Sequence, residues 1–131
     1  MTELYDLHCH SRASDGALSP AELVQRAQLH GVTTLALTDH DTTAGLPEAQ
    51  LSATEIGIKL IPGIELSSNW QNMCFHIVGL GIDPTYTPLA EATFALQNTR
   101  MQRAEKIAAK LENRGIAGSL AAVTKAAGDG M

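Results

Sequence analysis

A chain of 131 residues, 44% hydrophobic and 18% charged, is long enough to bury one useful core and too apolar to stay disordered. Its net charge of -5, with Lys and Arg scattered, leaves no basic face able to grip a long nucleic-acid duplex by itself, so any phosphate affinity has to come through bound cations. No apolar run approaches the ~20 residues needed to cross a bilayer, and Met1-Thr2-Glu3 does not open a signal-peptide pattern, so the expectation is a cytoplasmic protein without a membrane partner.

The stretch from Asp6 to Gly16 gathers His8, His10, Arg12 and Asp15. If Leu4 to His10 is a strand, side chains alternate, so His8 and His10 share one face while Cys9 takes the other. Two such imidazoles can ligate a metal, with Asp15 brought back by the Gly16 turn as an oxygen donor. The competing reading is a pair of surface histidines ending a strand. Ser19-Pro20-Ala21-Glu22 is a helix start with Ser19 at the N-cap and Glu22 completing a capping box. That helix runs to His30 and stops at Gly31, burying Leu23, Val24 and Ala27, and leaves His30 among the free carbonyls of the last turn. Val32 to Thr38 is short and nearly continuously apolar, as in a parallel strand covered on both faces. A right-handed strand-helix-strand unit puts both strand ends on one rim, where His40 joins His8 and His10. Asp39 and Asp41 flank it. Each is a turn or capping residue, or, for Asp39, a carboxylate that orients His40 from behind.

A second helix from Leu46 or Pro47 to Ile56, closed by Gly57, leads to a third strand from Lys59 to Ser67 that Pro62 and Gly63 predict to be irregular or bulged. Glu65 lies there between Ile64 and Leu66, with no Lys or Arg nearby in sequence; it is either on an exposed face or buried against a metal. Ser68 to Asn72 has turn character and Met73 to Ile82 is strand-like, a hairpin that sets His76 across from the strand of Glu65. Thr87-Pro88 starts a long helix toward Asn113 with an apolar stripe of Met101, Ala104, Ile107, Ala108 and Leu111. Arg100, Arg103, Lys106, Lys110 and Arg114 fall on a solvated basic side to which no chemistry is assigned. A shorter helix covers Leu120 to Ala127. Cys9 and Cys74, both in strand-like runs, read as free thiols of a reducing compartment.

The ordered set His8-x-His10, Asp15, Leu37-Thr38-Asp39-His40-Asp41-Thr42, Pro62-Gly63-Ile64-Glu65 and His76-Ile77-Val78-Gly79-Leu80 resembles the PHP (polymerase and histidinol phosphatase) family of metal-dependent phosphoesterases. Ser14 to Pro20 and His76 to Asp83 are most similar to the branch called TrpH or YciV, whose members are described as 5'-to-3' exoribonucleases on short RNAs and as nucleoside 3',5'-bisphosphate phosphatases. The resemblance implies an α/β fold: the N-terminal part of a distorted (βα)7 PHP barrel over residues 1–83, then the start of a helical insertion over 84–131. It implies His8, His10, Asp15, His40, Glu65 and His76 as metal ligands, with Glu65 able to bridge two ions. Up to three divalent metals are expected in a full-length parent. The family pattern continues with a later histidine and a closing Asp-x-His that do not follow His76 here, so the sequence reads as an N-terminal fragment, incomplete as a catalyst on its own.

Mixed imidazole and carboxylate donors suit Mn, Zn or Fe better than Mg or Ca and do not choose among the first three; Mn is the expected metal, with Zn or Fe as alternatives. Clustered dications acidify water and relieve phosphoryl charge without a nucleophilic side chain. Arg12 either holds a substrate phosphate by a bidentate contact or is a surface arginine. The expected substrate is a small molecule or a short oligonucleotide bearing phosphate: a 3',5'-bisphosphonucleotide or a 5'-phosphorylated RNA. The alternatives are a histidinol-phosphatase-like enzyme on a small metabolite and a metal-binding module without turnover.

Overall fold

Four strands, β1 (Tyr5–Cys9), β2 (Thr34–Leu37), β3 (Lys59–Trp70) and β4 (Met73–Leu80), lie side by side in chain order. The first three are parallel and β4 runs antiparallel to β3. The structure is a computed structural model that describes residues 2–128; Met1 and the tail residues Asp129, Gly130 and Met131 lie outside them. The crossovers are α1 (Pro20–Leu29) and α2 (Leu46–Ile56), which pack on each other and on the sheet.

Local chemistry explains the helix limits. Ser19 Oγ accepts from Glu22 N at 3.2 Å while Ser19 N donates to Glu22 Oε2 at 2.8 Å, the reciprocal box expected, and Pro20 occupies the first turn where no donor is needed. Gly57 closes α2 in a left-handed conformation with φ 77° that a side chain would resist.

The core lies between the sheet and these helices: Val24, Leu35, Leu37, Leu46, Ala49, Ala53 and Ile58. Since Leu35 and Leu37 face the helices, Ala36 and Thr38 face the other way, and both are fully buried. Cys9 packs against the helix-side core with its thiol donating to Ala36 O at 3.1 Å. Burial, helped by the charges of Asp6 and Asp39, pushes that thiol up to about 12. His8 and His10 therefore turn to the opposite face, as alternation requires.

Two features of the sheet differ from expectation. Pro62 and Gly63 make no bulge; the irregularity sits in β1, between Asp6 and Cys9. β3 pairs with β2 up to Pro62 and with β4 from Gly63 onward, so the residue lacking an N–H stands where the strand changes partners. Gly63 is there for close approach: a Cβ would lie 2.8 Å from Thr38 Cγ2 and 2.9 Å from Leu37 O. Gly63→Ala should cost about 2 kcal/mol, read as a lower urea midpoint at unchanged slope. An unshifted midpoint would show that this contact relaxes freely.

Ser68, Asn69 and Trp70, expected in a turn, are strand residues paired with Phe75, Cys74 and Met73. Only Gln71 and Asn72 turn, at φ 48° and 64°, the left-handed pair that matches the twist of a two-residue hairpin. Polar composition alone suggested a longer loop, but the ladder continues and Trp70 meets Phe75 at a ring distance of 6.5 Å. Among the described residues β4 pairs only with β3, and Met73, Phe75, Ile77, Val78 and Leu80 along it are exposed.

After β4 come α3 (Thr87–Glu112) and α4 (Ser119–Ala127). Along the stripe expected on α3, Ala108 is buried while Ile107 is half exposed. Among the described residues the element that the helix touches most is α4. Among the described residues no helix is long and apolar enough to cross a membrane.

Candidate metal centre

The strand ends place their side chains by backbone pairing. Glu65 N donates to Asp39 O and Asp41 N donates to Glu65 O, each at 3.0 Å, so the ladder of β2 and β3 continues past β2 and sets His40 beside Glu65. The loop after β1 winds back on itself: Ser14 N and Gly16 N both donate to Ser11 O, at 3.1 and 2.8 Å. Any Cβ at position 16 would lie 2.2 Å from His10 O, so this return needs glycine. It carries Asp15 to within 3.4 Å of His10 Nδ1 and 3.6 Å of His40 Nε2.

Glu65, only 6% exposed, is the centre of the cluster. Its Oε2 lies 2.8 Å from His8 Nε2, 3.0 Å from His10 Nε2 and 3.7 Å from His40 Nε2, and its Oε1 lies 3.1 Å from His76 Nδ1. The two carboxylate oxygens thus face two sides. All six residues expected as ligands are brought together, as three overlapping donor groups: His8 with His10 and Glu65, His10 with Asp15 and His40, and His40 with Glu65 and His76. Within each group the donor atoms lie within 4.8 Å of one another.

These donors suit divalent cations. The ring nitrogens His10 Nε2 and His8 Nε2 face each other at 3.1 Å, and His10 Nδ1 and His40 Nδ1 are buried without a hydrogen-bond partner. Buried imidazole nitrogens are costly to leave unpaired, and lone pairs converging with carboxylates are what a dication accepts.

Among the described residues Asp39 makes no side-chain hydrogen bond to His40. It is 2% exposed and spends its carboxylate on the loop after β1: Oδ1 accepts from Ser11 N at 2.6 Å and Ser14 Oγ at 2.7 Å, and Oδ2 accepts from Ser11 Oγ at 2.7 Å. It therefore fixes the segment joining His10 to Asp15. Arg12 is exposed, donates to Ala17 O at 2.9 Å, and lines a cavity of about 470 Å³ together with His40, Gln97 and Arg100. His30 stands apart, its Nδ1–H donating to Arg26 O at 2.8 Å.

The sequence reading missed what Asp41, Gln97 and Arg100 do together. Asp41 is 1% exposed with a left-handed φ of 53°. Its Oδ1 accepts from Ser67 N at 2.7 Å, its Oδ2 accepts from Ser67 Oγ at 2.7 Å and from Arg100 at 2.6 Å, and its carbonyl accepts from Gln97 Nε2 at 2.9 Å. Arg100 is thus not part of a freely solvated face. The available signal was the i, i+3 spacing of Gln97 and Arg100, which puts both on one side of α3.

Burial pushes both Glu65 and Asp41 upward, but stronger opposing effects leave each below the ordinary carboxylate value. For Glu65 these are the hydrogen bond from His8 and the charges of His40, His8 and His10; for Asp41 they are the bonds from Ser67 and Arg100. A carboxyl depressed in the fold contributes stability that is complete above its unfolded value and is lost as pH falls through its folded one. The stability difference between the metal-free parent and its Asp41→Asn variant should therefore hold steady above about pH 5 and shrink below about pH 4. Urea unfolding across that range measures it; a difference that grows toward acid would contradict the assigned direction.

Residues 6–103 match the PHP domain family. The chain belongs to the PHP domain family. A 5'-3' exoribonuclease of Haemophilus influenzae is 53% identical to it over 116 residues, 88% of this chain and 42% of the relative. A 3',5'-nucleoside bisphosphate phosphatase of Chromobacterium violaceum is 49% identical over 113 residues, 86% of this chain and 40% of the relative. The chain thus spans about two fifths of the length of these curated relatives. Among solved structures, an amidohydrolase from Chromobacterium violaceum with bound sulfate and no metal superimposes with a TM-score of 0.82 at 47% identity, covering 88% of this chain and 41% of that one. A candidate metal-dependent phosphoesterase from Bifidobacterium adolescentis gives 0.80 at 30% identity, covering 86% and 40%. The α/β architecture is that of part of a PHP barrel.

Proposed function

We propose that this PHP chain carries the metal-holding part of a phosphoesterase that hydrolyses a phosphate ester of a nucleotide, a 3',5'-bisphosphonucleotide or a short 5'-phosphorylated oligonucleotide. The observation that carries the reading is one buried carboxylate, Glu65, ringed by His8, His10, His40 and His76 with Asp15 alongside. These six residues would hold divalent cations, with manganese favoured over zinc or iron as the proposed metal. When bound, such ions neutralise phosphoryl charge and make water a stronger nucleophile at neutral pH. Glu65 offers an oxygen to each side of the cluster, Asp39 holds the loop that carries Asp15, and Arg12 faces the adjoining cavity as a phosphate contact.

The nucleotide class is favoured by the names of the relatives, an exoribonuclease and a nucleoside bisphosphate phosphatase. Residues 1–83 are proposed as the barrel portion and 84–131 as the start of an insertion. The free thiols of Cys9 and Cys74 favour a reducing, cytoplasmic setting.

The test is metal retention by the chain and turnover by a polypeptide that restores the relatives' full length. With manganese, phosphate or mononucleotide should be released from a 3',5'-bisphosphonucleotide or a short 5'-phosphorylated RNA, and little from histidinol phosphate. Preference for histidinol phosphate would make the protein a small-metabolite phosphatase. Metal retained without any turnover would make it a non-catalytic module.

A further inference from the structure

Helix α3 is tied to the sheet by few contacts. Of its 26 residues only Thr93 and Ala108 are buried, Phe94 is 66% exposed, and among the described residues the element it touches most is α4. Yet Gln97 and Arg100 both reach Asp41, next in sequence to His40. Asp41 is at the same time fastened to β3 by two bonds from Ser67 and by its own N–H to Glu65 O. One buried residue thus joins three segments: the end of β2 that carries His40, the part of β3 that carries Glu65, and α3.

We propose that Asp41 is a positioning residue that latches α3 across the histidine rim through Arg100, and that this latch sets the cleft in which a phosphate-bearing substrate lies. The substrate clause rests on the phosphoesterase reading above; the latch itself does not. Two cavities flank His40, of about 470 and 420 Å³, and Arg100 lines both. The second is walled on one side by Asp15, His40 and His76 and on the other by Leu96, Thr99 and Arg103 of α3. Where α3 stands therefore decides how wide the space is in front of the metal donors. Arg100 is 41% exposed and has five N–H donors, of which one is spent on Asp41, so it can keep the latch while facing the cleft.

Asp41→Asn separates the latch from the fold. The asparagine oxygen still accepts from Ser67 N, its amide group can donate to Ser67 Oγ, and asparagine tolerates the left-handed backbone at this position. Arg100 loses its anionic acceptor. Arg100→Ala removes the other half of the pair from a partly exposed position on the helix.

Amide hydrogen exchange over residues 93–104 should quicken about fivefold in Asp41→Asn and in Arg100→Ala, with helix content and metal retention as in the parent. The double variant should be no faster than either single one, because the two residues act as one pair. In a polypeptide that turns over a 5'-phosphorylated short RNA, KM should rise about tenfold in each single variant while kcat stays within about threefold, as expected when substrate placement rather than chemistry is disturbed. Parent-like exchange in Asp41→Asn, or effects that multiply in the double variant, would overturn the latch. Raised exchange with unchanged KM would overturn its role in the cleft. If no phosphoester is turned over, the functional reading fails and the exchange comparison still decides the latch.

Discussion

Glu65→Ala should strip at least one of the divalent ions proposed for this centre and, in a polypeptide that restores the relatives' full length, abolish the proposed phosphoester turnover. The residue supplies an oxygen to both sides of the cluster, within 3.1 Å of His8, His10 and His76, so its loss removes the shared anion from two donor groups at once. Losing a group that merely supports a ligand costs roughly 10–100-fold in affinity, and removing a central carboxylate should exceed that. The fold itself should survive, because the ladder through Glu65 uses its backbone N–H and C=O, which alanine keeps. Elemental analysis of the purified variant is the measurement. Parent-like metal content would mean that the cluster is not the site; His30→Ala, distant from these residues, serves as the control.

The second large effect is expected at Asp39. Alanine there leaves Ser11 N, Ser11 Oγ and Ser14 Oγ without their acceptor in a buried setting, and should destabilise the chain by about 3 kcal/mol. Asp39→Asn is a different case: the amide keeps the shape of the carboxylate and can still satisfy most of these donors, so stability should fall by only about 1 kcal/mol. What it loses is the charge that draws the loop tight, so metal affinity should drop about tenfold through displacement of Asp15. Urea unfolding reads the first effect and chelator competition the second. If Asp39→Ala matched the parent in both, the loop would have to be held by something other than this carboxylate.

Much of the centre was legible because it depends on short-range rules. Alternation alone separates His8 and His10 from Cys9, and the strand-helix-strand rule alone brings His40 to their rim. Ser19 and Glu22 announce their helix because both halves of the capping box lie within four residues. Glu65 could be singled out as a carboxylate with no cation near it in sequence. What stayed hidden depends on distance along the chain. Asp39 and Asp41 look equivalent on either side of His40, yet the first bonds Ser11, 28 residues earlier, and the second bonds Arg100, 59 residues later. Nothing in a local window tells these roles apart. The extent of the hairpin was missed for a related reason: Ser68 and Asn69 are polar enough for a loop, and only the register with Phe75 and Cys74 shows that they are strand.

The hairpin also makes the cluster unequal in stiffness. His40 is anchored beside the buried strand β2 and its ring is 15% exposed, whereas His76 rides on β4, is 47% exposed, and is held laterally by β3 alone among the described residues. A ligand on such a ribbon behaves like the free end of a cantilever: small flexing at Gln71 and Asn72 swings it through larger arcs than anything near Leu35 allows. The group that includes His76 should therefore exchange an ion with solvent sooner than the one built on His10 and His40, whose rings are 23% and 15% exposed. That gradient would give the centre one labile position beside a steadier one, as a property of where the strands lie rather than of which atoms they carry.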